Sequence, residues 1–251
     1  MTDREFTGKV ALVTGGSRGI GSAIASRLAS MGAHVVITFF RSRDGAEETA
    51  KKIEALGVRC LAVRANIRDR KSIAKLFGRI REDFGRLDIL VVNAAMGFFS
   101  EVRDFPDEKW DATIESNLNS YFACVREAAG LMGEGGKIVA ITSYGSKRYI
   151  PGYAAMGACK AAMEALTRYI AVEFARSGIN VNCVSGGPID TDSLRLIPGS
   201  ERLIEESMKR TPAGRIGMPE DIAGVVAFLC SDDARWIRGQ SIVADGGMSL
   251  M

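Results

Sequence analysis

The side chains best suited to acid–base chemistry are concentrated in one stretch of the sequence. Residues 143–169, SYGSKRYIPGYAAMGACKAAMEALTRY, hold several tyrosines and, within a helical pattern, Lys160. A phenol can donate a hydrogen bond to an oxygen that gains charge, and a nearby ammonium group favours ionisation of that phenol. The only histidine, His34, begins a predicted strand far from this stretch and is expected to be structural. A Ser–His hydrolase and a histidine-based metal site are therefore excluded, and the acid must be another residue type.

Tyr153 is the tyrosine whose spacing best suits a partnership with Lys160. The two residues are seven apart, and because two helical turns take about 7.2 residues, they can share one face. Pro151 and Gly152 indicate that Tyr153 lies close to the start of the helix. Tyr149 competes for the role, but it lies eleven residues from Lys160. We therefore predict that Tyr153 works with Lys160.

A glycine-rich segment, VTGGSRGIG, follows the first predicted strand and opens the first predicted helix. Gly15, Gly19 and Gly21 let the backbone turn tightly and let a pyrophosphate approach the positive N-terminus of that helix. The GxxxGxG spacing alone is also compatible with a plain glycine-rich turn. Its position between a strand and a helix favours a cofactor loop.

The end of the second predicted strand indicates which dinucleotide this loop would bind. An acid at this position would accept hydrogen bonds from a ribose 2′-hydroxyl, but the segment reads ITFFRSR, with Phe39 in that place. Arg41, Ser42 and Arg43 follow, and Arg18 adds a cation inside the glycine loop. Guanidinium groups match phosphate geometry, so NADP(H) is favoured over NAD(H). The alternative is that these arginines only solvate a loop.

Short apolar runs alternate with longer amphipathic patterns along the chain. The predicted strands are KVALVT, HVVITF, RCLAVR, LDILVVN, KIVAIT, INVNCV and QSIVAD, and the first two helices span about Ile20 to Ser30 and Asp44 to Leu56. Strand–helix–strand alternation predicts right-handed crossovers and a parallel sheet, and near-continuous apolar strands indicate burial on both faces. The fold class is therefore α/β. One irregular region, residues 186–212 with Pro188, Pro198 and Gly199, follows a strand end and is predicted to form a substrate lid.

The composition limits the remaining classes of function. A chain of 251 residues, 47% of them hydrophobic, can bury one large core, so residues 1–251 are expected to form a single domain. The net charge of +3 is scattered, which argues against nucleic acid and anionic membranes as partners. Five cysteines without CxxC spacing favour buried thiols over disulfides or zinc. The N-terminal MTDREF has no signal-peptide core, and the longest apolar run, Ile222 to Cys230, is too short for a span, so we expect a cytoplasmic protein.

Several motifs together resemble the short-chain dehydrogenase/reductase family across nearly the whole chain. They are TGGSRGIG, NAA at Asn93 to Ala95, Asn117 in ESNLNSYF, Ser143, Lys160 and the terminal RGQSIVADGG. The resemblance implies a Rossmann-type doubly wound sheet of about seven strands, commonly assembled as homotetramers. It also implies that NADPH is contacted by Gly15, Ser17, Arg18, Gly19, Ile20, Gly21, Arg41, Ser42, Asn66, Ile67, Asn93, Ala94, Ala95, Asn117, Lys160, Gly187, Pro188, Ile189 and Thr191. In this set, Asn66 and Ile67 would flank the adenine, and Ile189 and Thr191 would contact the nicotinamide end.

Two departures from the family pattern point to one subgroup. The usual tyrosine stands four residues before the lysine, but Met156 occupies that position, and Tyr153 gives the spacing Y-x6-K. The usual Pro-Gly after the sixth strand is replaced by SGGPIDT. Both features resemble the enoyl-acyl-carrier-protein reductases of the divergent and type III kinds. This resemblance implies NADPH-dependent reduction of a trans-2-enoyl thioester, carried on acyl-carrier protein or coenzyme A, in fatty-acid or related biosynthesis.

The altered spacing has a chemical use in such a reaction. Compared with the usual tyrosine, Tyr153 starts about 4.5 Å further back along a regular helix axis. In a ketone the carbon that receives hydride carries the oxygen, whereas in a 2-enoyl thioester hydride goes to C3 and charge gathers on the more distant thioester oxygen. We expect Tyr153 to donate to that oxygen, Lys160 to hold the nicotinamide ribose and Ser143 to position the ribose or the carbonyl. Tyr144 would border the thioester, or only pack against the lid.

Two other readings remain open. A 3-oxoacyl or polyketide ketoreductase shares the fold and the cofactor, but the thioether of Met156 cannot donate a proton. A non-enzymatic dinucleotide sensor could use the same fold, since fold alone never determines function. The joint presence of Ser143, Tyr153 and Lys160 argues against a sensor.

Overall fold

The strands form a single parallel sheet in the computed structural model, which describes residues 4–197 and 199–251. Within these residues there are seven strands: β1 (Val10–Val13), β2 (His34–Phe39), β3 (Cys60–Arg64), β4 (Ile89–Val92), β5 (Lys137–Ser143), β6 (Asn180–Gly186) and β7 (Ser241–Ala244). Their order across the sheet is β3-β2-β1-β4-β5-β6-β7, and every pairing is parallel. The predicted α/β class and the doubly wound sheet are confirmed.

Helices cover both faces of this sheet. Over the described part of the chain the α-helices are α1 (Gly19–Ser30), α2 (Arg43–Glu54), α3 (Arg70–Phe84), α4 (Asp107–Ile114), α5 (Ser120–Ala129), α6 (Ala154–Glu173), α7 (Asp192–Arg195), α8 (Ser200–Arg210) and α9 (Pro219–Cys230). Buried residues of α1, α2 and α9 form one core cluster, and those of α3, α5 and α6 form the other. In β1, Ala11 and Val13 belong to the first cluster and Val10 and Leu12 to the second, because side chains alternate along a strand. Among the described helices none combines the length and apolar character that a membrane crossing requires.

The order of the strands places a crevice at the carboxyl ends of β1 and β4. The chain moves outwards from β1 through β2 to β3, returns to pair β4 with the other edge of β1, and continues outwards to β7. Neighbouring loops therefore diverge at β1 and β4, where ligands bind in open α/β sheets. The loops after β1, β4, β5 and β6 carry most of the predicted site residues.

Residues 186–212 are more regular than predicted. Gly186 completes β6, and the segment then forms α7 and the eleven-residue α8. Two ion pairs at i,i+4 spacing, Arg202–Glu206 at 2.8 Å and Lys209–Glu205 at 2.7 Å, support α8. Of α8 only Ser207 is buried, so the helix lies on the surface. Pro198 lies outside the described residues, and the lid function of this segment stays a prediction.

The glycine loop supplies a test of the packing around the crevice. A Cβ added to Gly21 would collide with the carbonyl oxygen of Gly15, so we expect Gly21→Ala to destabilise the fold by about 1–3 kcal/mol through overpacking. Gly78, inside α3, is the matched control, because a Cβ added there meets no described atom within 4 Å. Gly78→Ala should stabilise the fold by about 0.5–1 kcal/mol, since glycine loses more backbone entropy in a helix than alanine. Denaturant unfolding of the three proteins measures both effects, and equal midpoints would contradict the packing described here.

Candidate active site

The loops after β1 and β4 are joined by hydrogen bonds at the crevice. The hydroxyl oxygen of Thr14 accepts from the backbone N–H groups of Asn93 and Ala94, each at 3.0 Å. The Asn93 side-chain amide donates to the carbonyl oxygens of Thr14 at 3.0 Å and Gly15 at 3.2 Å. Gly15 adopts a φ of +67°, in the left-handed region, where it passes directly against Ala94. Asn93 and Ala94 are therefore bound to the start of the glycine loop, and their contact with a cofactor stays a prediction.

The N-terminus of α1 is open to an anion. Arg18, the residue before this helix, is extended and makes no side-chain capping hydrogen bond. The preceding loop is held from beneath, because Gly15 N–H donates to the Thr38 hydroxyl at 3.0 Å and Gly16 N–H to the Thr38 carbonyl at 2.9 Å. The first amides of α1 therefore lack a side-chain acceptor, which suits a phosphate group. Ser17, Gly19, Ile20 and Gly21 lie at this helix end.

The three arginines predicted near the 2′-position differ in their partners. Arg43 pairs with Glu47 at 2.8 Å, and Arg18 pairs with Asp192 of α7 at 3.3 Å. The guanidinium group of Arg41 has no partner within the described residues 4–197 and 199–251. Phe39, in the position of the ribose-reading acid, packs against the core. Arg41 is thus the cation best placed to receive a phosphate at the end of β2, with Ser42 beside it.

The loop after β3 is closed by its own polar groups. Asn66 N–H donates to the Ser72 hydroxyl at 2.9 Å, and its side-chain oxygen accepts from Arg68 N–H at 3.2 Å. Asn66 and Ile67 are half-buried at the end of the edge strand next to β2. This location lies beyond the predicted 2′-phosphate position and is compatible with an adenine subsite.

Tyr153 lies immediately before α6. Its carbonyl oxygen accepts from Gly157 N–H at 2.7 Å, which is the first bond of the helical ladder. The phenol ring stacks near Phe99, with centroids 5.9 Å apart, and a Cβ added to Gly145 would lie 2.7 Å from two ring carbons. The ring is therefore held by residues of the loops after β4 and β5, and only its backbone belongs to the helix.

The electrostatic environment keeps the Tyr153 phenol protonated. Burial raises the pKa of Tyr153, and a hydrogen bond with the Ser143 hydroxyl opposes this shift only partly. Ser143 ends β5, and its hydroxyl oxygen accepts from Gly145 N–H at 3.1 Å. A protonated phenol at neutral pH can donate a hydrogen bond, so the pair Ser143 and Tyr153 forms a donor site at the end of β5.

Lys160 is buried in α6 and bound to the same strand. Its ammonium group donates to the Ile141 carbonyl at 2.9 Å, and burial lowers the pKa of Lys160 to about 8. The group therefore remains mostly charged at neutral pH. Ile141 precedes Ser143 by two residues in β5, so the lysine and the donor site share one short segment of chain.

Asn117 and Met156 shape the opposite side of the crevice. Asn117 lies in a π-helical turn, Glu115–Asn119, which the sequence patterns did not predict; its side-chain amide donates to the Met96 carbonyl at 2.7 Å. Its buried side-chain oxygen lacks a hydrogen-bond partner among the described residues. Met156, at the family's usual tyrosine position, is buried, and its sulfur fills the space left by the absent side chain of Gly97. That position therefore offers no proton donor.

Tyr144 and Tyr149, two further tyrosines of the stretch, differ in exposure. Tyr144 is half-buried and begins a 3₁₀ turn, Tyr144–Ser146, next to Ser143. Tyr149 is 81% exposed. A pocket of about 230 Å³ opens beside Tyr153 and is lined in part by Val102, Tyr149 and Ile150. Tyr149 thus borders this pocket and does not join the donor site.

The segment after β6 approaches the glycine loop. Pro188 accepts from Gly217 N–H at 2.9 Å, Ile189 pairs with Gly217, and Gly187 packs against Asp245. The Thr191 methyl lies 3.3 Å from the position that a Cβ on Gly19 would occupy. Thr191 is therefore brought next to the glycine loop, whereas the cofactor contacts of Gly187, Pro188 and Ile189 stay predictions.

Two residues of the site were given no role in the sequence analysis. Thr14 stands directly before Gly15, and a hydroxyl at the end of a buried strand is the pattern that could have indicated its role. Glu164 is a buried acid one helical turn after Lys160, on the otherwise apolar side of α6. A charged residue on an apolar helix stripe is the pattern that could have identified it. His34 plays the structural part expected of it, because its Nδ1 accepts from Arg59 N–H at 3.1 Å.

Comparison with known proteins places this site in a family. A family model described as enoyl-(acyl carrier protein) reductase matches residues 15–249. The chain is 40% identical over 245 residues to 1-cyclohexenylcarbonyl-CoA reductase of Streptomyces collinus, covering 97% of this chain and 88% of that protein. It is 37% identical over 259 residues to versicolorin reductase 1 of Aspergillus parasiticus, covering 98% and 99%.

A solved structure has the same fold over nearly the whole chain. It is a short-chain dehydrogenase from Burkholderia cenocepacia in complex with NADP, 37% identical, with a TM-score of 0.93 and coverage of 98% of this chain and 100% of that one. The chain therefore belongs to the short-chain dehydrogenase/reductase family of oxidoreductases.

Proposed function

We propose that this protein reduces the carbon–carbon double bond of a trans-2-enoyl thioester with NADPH. The observation that carries the proposal is the location of the phenol: Tyr153 stands before α6 beside Ser143, whereas the usual tyrosine position holds the buried Met156. The relative from Streptomyces collinus supports this substrate class, because its name describes the thioester of a carboxyl group attached to a ring double bond. The matching family model, described as an enoyl-(acyl carrier protein) reductase, supports it as well.

The residues of the cleft fit NADPH. The uncapped end of α1 would take the pyrophosphate, and the unpaired Arg41 would take the 2′-phosphate, while Phe39 leaves no carboxylate to repel it. The complex of the Burkholderia cenocepacia relative with NADP supports the choice of this dinucleotide. When bound, NADPH supplies the hydride that C3 of the substrate receives.

The side chains of this protein would stabilise the charge that the reduction creates. Tyr153 donates its hydrogen bond to the thioester oxygen as that oxygen becomes an enolate, which lowers the energy of the transition state. Ser143 holds the phenol in place, and Lys160 binds the ribose hydroxyls and favours ionisation of a nearby phenol. A proton reaches C2 from Tyr153 or from water. Tyr144 would border the thioester, or only pack against the lid.

A ketone reductase, which would share the fold and the cofactor, is the second candidate function. Such a reaction needs a proton donor beside the carbon that receives hydride. Met156 fills that position here and packs on Gly97, so the enoyl substrate fits better. The choice between acyl-carrier protein and coenzyme A, the role in fatty-acid or related biosynthesis, and the homotetramer remain predictions.

The substrate class can be tested directly. A short or medium trans-2-enoyl thioester should be reduced faster than the 3-oxoacyl thioester of the same length, because Tyr153 is placed for the distant enolate oxygen. The rates are measured as loss of NADPH absorbance, and mass spectrometry identifies the products. Formation of a 3-hydroxyacyl product without any saturated product would favour the ketone reductase.

The cofactor preference has its own test. NADPH should be preferred over NADH by more than about tenfold, because each charge-assisted contact to the 2′-phosphate contributes roughly 1.5–3 kcal/mol. Replacing Arg18 and Arg41 by alanine should raise KM for NADPH far more than KM for NADH. Arg43→Ala is the comparison variant and should change KM less, since its guanidinium is already bound to Glu47. Equal use of both cofactors by the unmodified protein would contradict the prediction.

The role of Tyr153 predicts a separation of turnover from cofactor binding. Tyr153→Phe should lower kcat by about 10²- to 10³-fold, the usual loss for one donor of an oxyanion site. NADPH binding, followed by nucleotide fluorescence, should be nearly unchanged, because the ring still packs against Phe99 and Gly145. Lys160→Ala should lower kcat and also weaken NADPH binding. Tyr149→Phe should have little effect on kcat. If Tyr144→Phe abolished turnover while Tyr153→Phe remained fully active, the proton donor would be Tyr144.

A further inference from the structure

A carboxylate without an assigned role lies directly beneath the donor site. Glu164 belongs to α6, one turn after Lys160, and is only 6% exposed. One of its oxygens accepts from the Ser146 hydroxyl at 2.7 Å and from the Thr142 hydroxyl at 3.0 Å. The other oxygen lies 3.9 Å from the ammonium group of Lys147. A buried carboxylate is costly unless it is paired and hydrogen-bonded, and here all its partners come from one short segment of chain.

That segment carries the donor site. Thr142 precedes Ser143, and Ser146 and Lys147 follow Gly145. Glu164 is therefore bound to both ends of the turn that contains Ser143, Tyr144 and Gly145. Bonds at both ends determine where the turn lies relative to α6.

The position of this turn determines the position of the phenol. Gly145 packs against the Tyr153 ring, and Ser143 stands two residues before Gly145 in the same turn. Since Tyr153 lies outside the regular helix, these contacts orient its ring. A chain of contacts thus runs from Glu164 through Thr142 and Ser146 to the turn, and from the turn to Tyr153.

We propose that Glu164 is a positioning residue that holds the turn of residues 143–145 against α6, so that Ser143 and Tyr153 meet the thioester oxygen. It touches neither substrate nor cofactor. The inference rests on the proposed function for its kinetic consequence, whereas the hydrogen bonds that it concerns exist without substrate. Lys160 and Glu164 together bind α6 to the end of β5, the first through the Ile141 carbonyl and the second through two hydroxyls.

The kinetic test compares two substitutions at one position. Glu164→Ala should lower kcat for enoyl thioester reduction by roughly tenfold to a hundredfold, because small displacements of catalytic groups are costly. KM for NADPH should stay within about twofold, since none of the cofactor contacts is changed. Glu164→Gln keeps an oxygen that can accept from Ser146 and Thr142, so it should restore most of the turnover. Glu173→Ala, an exposed acid at the end of the same helix, is the matched control and should match the unmodified protein.

A double-substitution test separates positioning from general destabilisation. If Glu164 acts through Ser143, then Glu164→Ala should cost little further turnover in a Ser143→Ala background. Full additivity of the two losses would overturn the proposal, and so would a Glu164→Ala protein that keeps its kcat. If Glu164→Ala does not fold, Ser146→Ala removes one donor from the same contact. It should reproduce part of the loss of kcat, and unchanged turnover would also overturn the proposal.

Hydrogen exchange tests the positioning without relying on any reaction. In the cofactor-free protein, the amides of residues 143–147 should exchange faster in Glu164→Ala than in the unmodified protein, and Glu164→Gln should restore protection. Equal exchange in all three proteins would overturn the proposal. If the unmodified protein reduces no 2-enoyl thioester, the proposed function fails, and this exchange comparison still decides the role of Glu164.

Discussion

The site depends on a buried ammonium group that requires an acceptor. Lys160 lies inside the molecule, and the carbonyl of Ile141 near the end of β5 accepts a hydrogen bond from its ammonium group at 2.9 Å. An unpaired buried polar group is expensive, so this bond determines the distance between α6 and the sheet. Ser143 lies two residues further along the same strand, and Tyr153 lies at the start of the same helix. The lysine, the serine and the phenol therefore all belong to, or directly adjoin, the helix and the strand that this one contact joins.

The cofactor side of the crevice is organised separately. There the contacts run between loops: Thr14 binds the backbone of Asn93 and Ala94, and Asn93 binds back to Thr14 and Gly15. Glycine is required at Gly21, because a side chain there would strike the Gly15 carbonyl. In this half, side chains bind backbone groups, whereas the β5 half also contains contacts between side chains, those of Glu164 with Thr142 and Ser146. The two halves share the β4 loop, where Asn117 holds Met96.

The limits of sequence-based prediction are visible in particular elements. The strands were predictable because each is a short apolar run of a kind that only a doubly covered parallel sheet buries. The helix α8 was not predicted, because Gly199 indicated a turn. The two i,i+4 ion pairs that support the helix are only a weak helix signal in a sequence. The role of Glu164 could not be predicted from the sequence for another reason. Its partners Thr142 and Ser146 are 22 and 18 residues away, and only the packing of α6 against β5 brings them together.

Tyr153 lies at the junction between a loop and α6, so the position of its phenol does not depend directly on the position of Lys160 inside the helix. A phenol inside the helix would move only if the whole helix turned or slid, and Lys160 would move with it. Here the residue before the helix carries the phenol, while the helix stays bound to β5 through Lys160. The acid can therefore be relocated by substitutions in the loops around Phe99 and Gly145 alone. Such substitutions would leave the contact between Lys160 and Ile141 and the loops of the cofactor cleft as they are.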